Sequence, residues 1–274
     1  MRKGIVVILL LGASLTAVLL LSEVSSSSSA KLAFFDVGQG DAIFFQTRQG
    51  HQILIDGGPD SSVLSRLGSV MPFWDKTIDL VVLTHPDADH ITGLVAVLER
   101  YEVKTVLWTG RKKDTKVFAA FAKALKKEGA REIIAHAGQR IIFGNSDTIL
   151  EILYPFYDTD IKKGASNETS IIMRLVQDEN SVLLTGDTTK KIEKLLVEEG
   201  TDIKANILKI AHHGSKTSSS RVFLEAVDPE IAILSVGRDN RYGHPDDETL
   251  VNLLEYDIQI QRTDKSGTLF IYLK

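Results

Sequence analysis

From Lys31 onward the apolar residues come in short runs closed by glycine and aspartate, as in strands that end in turns. KLAFFDVG, DAIFFQT and HQILIDGG are three such runs, and TIDLVVLTH is a continuous apolar stretch of strand length, the pattern of a strand buried on both faces. Behind it, in HITGLVAVLERY, Ile91, Leu94, Val95 and Leu98 recur at helical spacing. The alternation continues with strand KTVLW, helix VFAAFAKALKKEG, strands around Ile133 and Ile141, strand TILEILY, and a hairpin-like pair, SIIMRLV and SVLLTGD. Helix KKIEKLLVEEG, strand NILKIAHHG, helix SRVFLEAV, strand EIAILSVG and helix DETLVNLLEY come next, then strands DIQIQRT and GTLFIYL. With no solenoid repeat and no Pro- or Gly-rich linker across 31–274, the pattern predicts one layered α/β domain.

Residues 1–30 follow a different pattern. Arg2 and Lys3 precede an uncharged apolar run from Ile5 to Leu21, and SEVSSSSSA follows it. Basic, apolar and small-polar stretches in that order read as a signal peptide or an N-terminal membrane anchor. The protein is therefore expected to be exported, either secreted or held at the outer side of the cytoplasmic membrane through this segment alone. One apolar segment cannot build a polytopic channel, so the chain is not expected to transport DNA itself.

Composition narrows the chemistry. Of the 274 residues, 43% are hydrophobic and 25% charged, enough apolar material for a large core. A net charge of −4 argues against a broad basic face that grips duplex nucleic acid. The chain has no cysteine, which excludes disulfides, thiolate metal sites and lipidated cysteines, so any metal must rest on His, Asp, Glu or Asn.

Those residue types gather at strand ends. In THPDADHITGL, His85, Asp87, Asp89 and His90 crowd the junction between a buried strand and a helix. Asp56 closes ILIDGG, Asp187 closes SVLLTGD, and His212 and His213 close ILKIAHHG. A charged turn with aspartate as a helix cap would account for the first cluster alone. Neighbouring strand ends in a layered α/β domain share one edge, so four of them can deliver mixed nitrogen and oxygen donors to one locus, a donor set suited to divalent metal.

Together DVGQGDA, LIDGG, THPDADHITGL, NETSIIMRL, LLTGD, HHGS and YGHP resemble the metallo-β-lactamase fold, in particular the carboxyl-terminal metallohydrolase domain of the ComEC family of DNA-uptake proteins. The resemblance implies a four-layer αββα sandwich with two divalent metal ions, zinc or manganese, at one edge between the sheets. It implies that His85 and Asp87 hold the first ion, that Asp89 and His90 hold the second, and that Asp187 bridges both. One of His212 and His213 would complete the second site, and Asp56 would orient the ligand loop. The first site departs from the family, with Asp87 where an imidazole is usual and Asn167 and Ser170 where the third motif offers another histidine, so the second site is the firmer one. The implied reaction is hydrolysis by a hydroxide held between the ions, with Asp89 and Asp187 as catalytic carboxylates and Asp89 accepting the proton.

His244 reads either as a catalytic contact to the leaving group or as a brace for its own loop, with Pro245 opening a helix. Ser215 and Ser218 read as phosphate contacts or as turn chemistry, and Lys209, Lys216, Arg238 and Arg241 as the basic residues nearest the mouth. The glycines of FDVGQGD are assigned to close backbone approach, with Gln39 and Asp41 as candidate supporting contacts. The leading expectation is an exported metal-dependent phosphodiesterase or nuclease taking a phosphoester or nucleic acid, with single-stranded DNA among the candidate substrates. The alternatives are a hydrolase of a lactone, β-lactam or phosphocholine ester, and a non-catalytic accessory module of DNA uptake.

Overall fold

The computed structural model describes residues 29–144 and 148–273, so the expected signal or anchor segment lies, up to residue 28, outside the described residues. Two seven-stranded sheets form the centre. The first contains β1 (Ala30–Phe34), β2 (Ile43–Gln46), β3 (Gln52–Ile55), β4 (Thr77–Leu83), β5 (Glu102–Trp108), β6 (Arg131–Ile134) and, returning from the end of the chain, β14 (Leu269–Leu273). The second contains β7 (Arg140–Phe143), β8 (Thr148–Tyr154), β9 (Ile172–Gln177), β10 (Asn180–Leu184), β11 (Ile207–Lys209), β12 (Ile231–Leu234) and β13 (Gln259–Arg262). Both sheets are mixed: hairpin-linked antiparallel strands give way to parallel ones at β3–β4 in the first and at β10–β11 in the second.

Three apolar clusters glue four layers. Strand alternation sends Leu80 and Val82 of β4 into the cluster between the sheets, and Val81 and Leu83 into the cluster beneath the helices, which is why β4 reads as an unbroken apolar run. Helices α1 (Ser62–Val70), α2 (Ala88–Arg100) and α3 (Lys116–Glu128) cover the first sheet. Helices α4 (Lys190–Glu198), α5 (Arg221–Val227) and α6 (Asp247–Glu255) cover the second. This is the αββα sandwich that the motifs imply.

The structure departs from the sequence reading at a few elements. Helix α1, SVLSRLGSV, was not expected: it is serine-rich, holds Gly68, and buries only Val63 and Leu67, too few positions to set a helical period. A short helical turn, α7 (Thr263–Ser266), separates β13 from β14. Helix α6 starts at Asp247 rather than at Pro245, because Asp246 caps it by accepting from the Glu248 amide at 3.0 Å. Strand β1 begins at Ala30, which is fully buried and pairs with Leu273.

One close approach positions the site. The Gly57 amide donates to the His90 carbonyl at 2.7 Å, and the Gly93 amide to the Gly58 carbonyl at 3.1 Å, so the LIDGG loop is laced to the first turns of α2. A Cβ at Gly93 would overlap the Gly57 carbonyl oxygen and come within 2.6 Å of that of Asp60. Gly40 is similarly constrained, since a Cβ there would strike the Asp89 carbonyl and come within 2.9 Å of Pro59 Cδ. Gly93→Ala is expected to push α2 off this loop and destabilise the domain by about 1–3 kcal/mol, the usual cost of overpacking. Urea denaturation of the variant against the parent chain measures it.

Candidate metal centre

The four strand ends that carry the candidate ligands arrive at one edge. β3 and β4 are parallel neighbours in the first sheet, as β10 and β11 are in the second, and each pair ends there. Asp56 follows β3, His85 follows β4, Asp187 follows β10, and His212 and His213 follow β11. Asp87 sits at the N-cap position of α2 but makes no side-chain cap bond, while Asp89 and His90 occupy the first turn.

Three buried imidazoles are held in one tautomer. The His90 Nδ1 proton is bonded to Asp56 Oδ2 at 2.8 Å, and His213 Nδ1 donates to the Ser235 carbonyl at 2.8 Å. Thr84 donates its hydroxyl to Asp56 Oδ2 at 2.6 Å, so its oxygen is left to accept from His85 Nδ1 at 3.0 Å. With every Nδ1 anchored, the Nε2 atoms of His85, His90 and His213 are buried without a partner, as is Asp187 Oδ1. Buried polar atoms of this kind are costly unless something binds them. They converge: Asp187 Oδ2 lies 3.3 Å from His90 Nε2, 3.6 Å from His213 Nε2 and 4.0 Å from His85 Nε2, and Asp89 Oδ2 lies 3.4 Å from His213 Nε2. Asp89, His90, Asp187 and His213 thus present one ligand atom each around a common point, and this donor set fits a divalent cation.

The two consecutive histidines part ways here. His213 points into the group with Asp89 and Asp187. His212 stands at the cleft wall, its Nε2 3.9 Å from Asp187 Oδ2 and its ring beside Asn167 Nδ2 (3.4 Å) and Thr217 Oγ1 (3.2 Å). Both residues adopt left-handed backbone, with φ of 51° and 55°, and Asp56 does so with φ of 56°. Strained residues of this kind persist where the surrounding structure over-determines them. On the His85 side, Asp87 Oδ1 is bonded to Lys113 Nζ at 2.8 Å, so one oxygen of that carboxylate already faces a cation.

The remaining candidates divide between supports and walls. Ser170 Oγ accepts from the Asp187 amide at 3.3 Å. Ser215 pairs its hydroxyl with Thr217 at 3.0 Å and Ser218 donates to the Ala211 carbonyl at 2.9 Å, so both brace the turn after His213. His244 stacks on Tyr242 and its ring centre lies 5.9 Å from that of His212. A cleft of about 150 Å³ is lined by Asp87, Asp89, Asn167, Asp187, His213 and His244, among others. A larger groove of about 440 Å³, walled by Pro59, Asn240 and Arg241, shares Gln39, Asp89 and Tyr242 with it. Of the basic residues expected at the mouth, Arg241 lines that groove, Lys216 is exposed, and Arg238 turns to the Asp264 carbonyl.

Lys209 departs from its expected place. It is fully buried, ion-paired with Asp41, and its Nζ lies 3.4 Å from the Gly186 carbonyl. Leu208 and Ile210 face the outer cluster, so alternation along β11 turns Lys209 inward, a signal that its apolar flanks already carried. Asp41 in turn lies 3.5 Å from His213 Nδ1 and 4.0 Å from His90 Nδ1. Sequence reading also missed Asn240, whose side chain holds the 240–244 loop by donating to the His244 carbonyl (2.7 Å) and accepting from the His244 amide (3.0 Å).

Burial and charge set opposing protonation states. Burial would lower His90, but Asp187 and Asp56 overcome it and hold its pKa well above the usual histidine value. His213 is raised for the same reason, by Asp187 and Asp89 against burial. Burial, helped by the charge on His90, pushes His85 down to about 4. Asp187 stays well below the usual carboxylate range, because His213 and His90 outweigh its own desolvation.

A family model described as the metallo-β-lactamase superfamily matches residues 35–238. The chain belongs to the metallo-β-lactamase superfamily. Among its superfamily relatives, ComE operon protein 3 of Bacillus subtilis (strain 168) is 31% identical over 264 residues, and Competence protein ComA of Neisseria gonorrhoeae is 32% identical over 248. These alignments cover 89% and 90% of the chain, but the chain spans only 33% of either relative's length. The metallo-β-lactamase sandwich is also that of CmlA, a diiron β-hydroxylase from Streptomyces venezuelae (TM-score 0.60, 16% identity, 90% of this chain and 55% of that one). Zn²⁺-bound PqqB from Methylobacterium extorquens shares it too (TM-score 0.55, 11% identity, 88% and 99%). The chain is thus a hydrolase-superfamily domain related to competence proteins.

Two outcomes follow from this geometry. Lys209→Met leaves the Asp41 carboxylate buried without its cation and is expected to cost about 3–5 kcal/mol, with much of the loss recovered by adding Asp41→Asn; chemical denaturation of the single and double variants tests it. The pKa values of His90 and His213 are raised, so protons compete with a cation for their Nε2 atoms. Apparent Zn²⁺ affinity should therefore rise with pH up to the raised values and fall as pH drops, with proton release visible by titration calorimetry in buffers of different ionisation enthalpy.

Proposed function

We propose that the domain is an exported metal-dependent phosphodiesterase whose substrate is a phosphoester or a nucleic-acid strand. The observation that supports this most directly is the convergence of the unpartnered Nε2 atoms of His85, His90 and His213 on Asp187, beside a cleft that Asp187 and His213 line and that shares residues with a larger groove. His90, His213, Asp89 and Asp187 would hold one divalent ion, zinc or manganese. His85 and Asp187 would hold a second, more weakly, with Asp87 sharing its charge with Lys113. Bound there, such ions supply Lewis-acid polarisation of a phosphoryl oxygen and acidify water toward neutrality.

The chain's own residues supply the rest. Asp89, whose side chain is a third exposed, can accept a proton at the cleft face while His213 holds its other side. Asp56 and Asp41 fix the imidazoles from behind, so the ligand atoms need no reorganisation when substrate arrives. His244 sits opposite, half-buried on the Asn240 loop, where burial and the neighbouring His212 and His213 lower its pKa. It contacts the leaving group. Asn167 is an amide that can donate to a phosphoryl oxygen. The groove beyond Asp89 carries Arg241 and exposed Tyr242 on its wall, side chains that suit phosphate and base contacts. That the relatives bear the names of competence proteins fits a nucleic-acid substrate.

Purified protein loaded with Zn²⁺ or Mn²⁺ and offered bis-p-nitrophenyl phosphate, single-stranded DNA and a cephalosporin discriminates the readings. Hydrolysis of the two phosphodiesters, with the cephalosporin untouched, is expected. His213→Ala should lose both bound metal and rate, whereas His244→Ala should keep metal by elemental analysis and lose rate by roughly 10²–10³, the range for removing one hydrogen-bond donor to developing charge. Cephalosporin turnover with both phosphodiesters intact would overturn the proposal.

A further inference from the structure

The end of the sandwich opposite the candidate metal centre carries an aromatic tip that none of the described residues covers. Phe73 is 82% and Trp74 73% exposed, and their rings meet edge to face at 4.8 Å. The turn that bears them is ordered: the Asp75 amide donates to the Pro72 carbonyl at 3.0 Å, and Gln52 Nε2 donates to Asp75 Oδ2 at 2.6 Å. The rings are therefore held out into solvent by a braced turn, and two large adjacent apolar side chains at a loop tip mark an interaction site.

The register places this tip beside the entry of the chain. β1 is antiparallel to β2, β2 to β3, and β3 is parallel to β4, so Ala30 and Thr77 begin their strands at the same end of the sheet. Three strand spacings, about 14 Å, separate them. Tyr272, 59% exposed, lies opposite Lys31 in the β1–β14 ladder at that same end, and Lys76 follows Trp74 directly. Before Ala30 the sequence runs through Ser22–Ser29 to the uncharged apolar run Ile5–Leu21. Eight residues span at most about 28 Å, so whatever holds the apolar run lies within reach of the tip.

We propose that the Phe73–Trp74 turn seats this domain on a lipid bilayer, inserting its two rings at the headgroup–acyl boundary beside the N-terminal apolar run. Trp, Tyr and Lys together are the side chains that favour this boundary, where ring bodies leave water and polar tips stay wet. A second copy of the chain fits less well: the rings form a protruding tip flanked by Ser69, Asp75 and Lys76 rather than the flat, extended surface a stable dimer buries. Seated this way, the domain holds its metal cleft away from the bilayer, beyond the length of β4, about 20 Å. The inference does not depend on which bond the cleft hydrolyses.

Trp74 is its own reporter. The other tryptophan, Trp108, is buried and donates to Glu132 at 3.0 Å, so Trp108→Phe leaves Trp74 as the single probe. The full-length chain reconstituted into phosphatidylcholine–phosphatidylglycerol vesicles is expected to show blue-shifted Trp74 emission, reduced quenching by aqueous acrylamide, and loss of emission when the phosphatidylcholine is brominated near the headgroup. Should Trp108→Phe fail to fold, the difference between the parent chain and Trp74→Phe reports the same quantities. Emission that stays red and acrylamide-sensitive in chain that has joined the vesicles overturns the proposal. Failure of the chain to join the vesicles overturns it too, and so does Trp74 shielded from acrylamide yet unaffected by brominated lipid, which would place the tip against protein.

Discussion

The structure depends on how three fully buried aspartates, Asp41, Asp56 and Asp187, find polar partners at one edge of the sandwich. Burying a carboxylate without a partner costs several kcal/mol, so each must meet a cation or strong donors. Lys209 answers Asp41, His90 and the Thr84 hydroxyl answer Asp56, and His90 and His213 answer Asp187. The same side chains that answer these carboxylates also turn their remaining nitrogen and oxygen atoms toward one point, where the donor set fits a divalent cation.

That double role explains why so much of the local backbone is constrained. Asp56, His212 and His213 sit in the left-handed region, where a non-glycine residue costs about 1–2 kcal/mol. The strain turns the chain sharply at the ends of β3 and β11, and sends two consecutive imidazoles to different sides of the cleft. Gly57 and Gly93 allow the loop after β3 to touch α2, which carries His90. Loop, helix and histidine are thereby one unit, and Asp56 can reach His90 only because the backbones are that close.

Much of this was legible in the chain. Period-two and continuous apolar runs located the strands, and helical spacing located every long helix but α1, whose serines and single buried pair gave no period. The strand-end clustering of His85, Asp89, His90 and Asp187 was visible because the candidate ligands come in short sequence blocks. What depends on two successive dihedral angles was not, which left His212 and His213 indistinguishable. Lys209 was placed at the mouth through its charge, although its parity with Leu208 and Ile210 pointed inward. Contacts between distant segments, such as Lys113 with Asp87 or Lys209 with Asp41, leave no local pattern to read.

The last strand, β14, returns to lie against β1 with Leu273 opposite Ala30. The two ends of the sandwich's chain path are therefore neighbours, and both emerge at the face farthest from the cleft. A domain with this layout behaves as a plug-in cartridge: polypeptide spliced onto either end leaves through the same doorway and does not cross the cleft. Homologous sequence of this kind forms about a third of the longer relatives, and the closed β1–β14 seam allows such a module to be inserted into, or detached from, a larger chain without rebuilding its core.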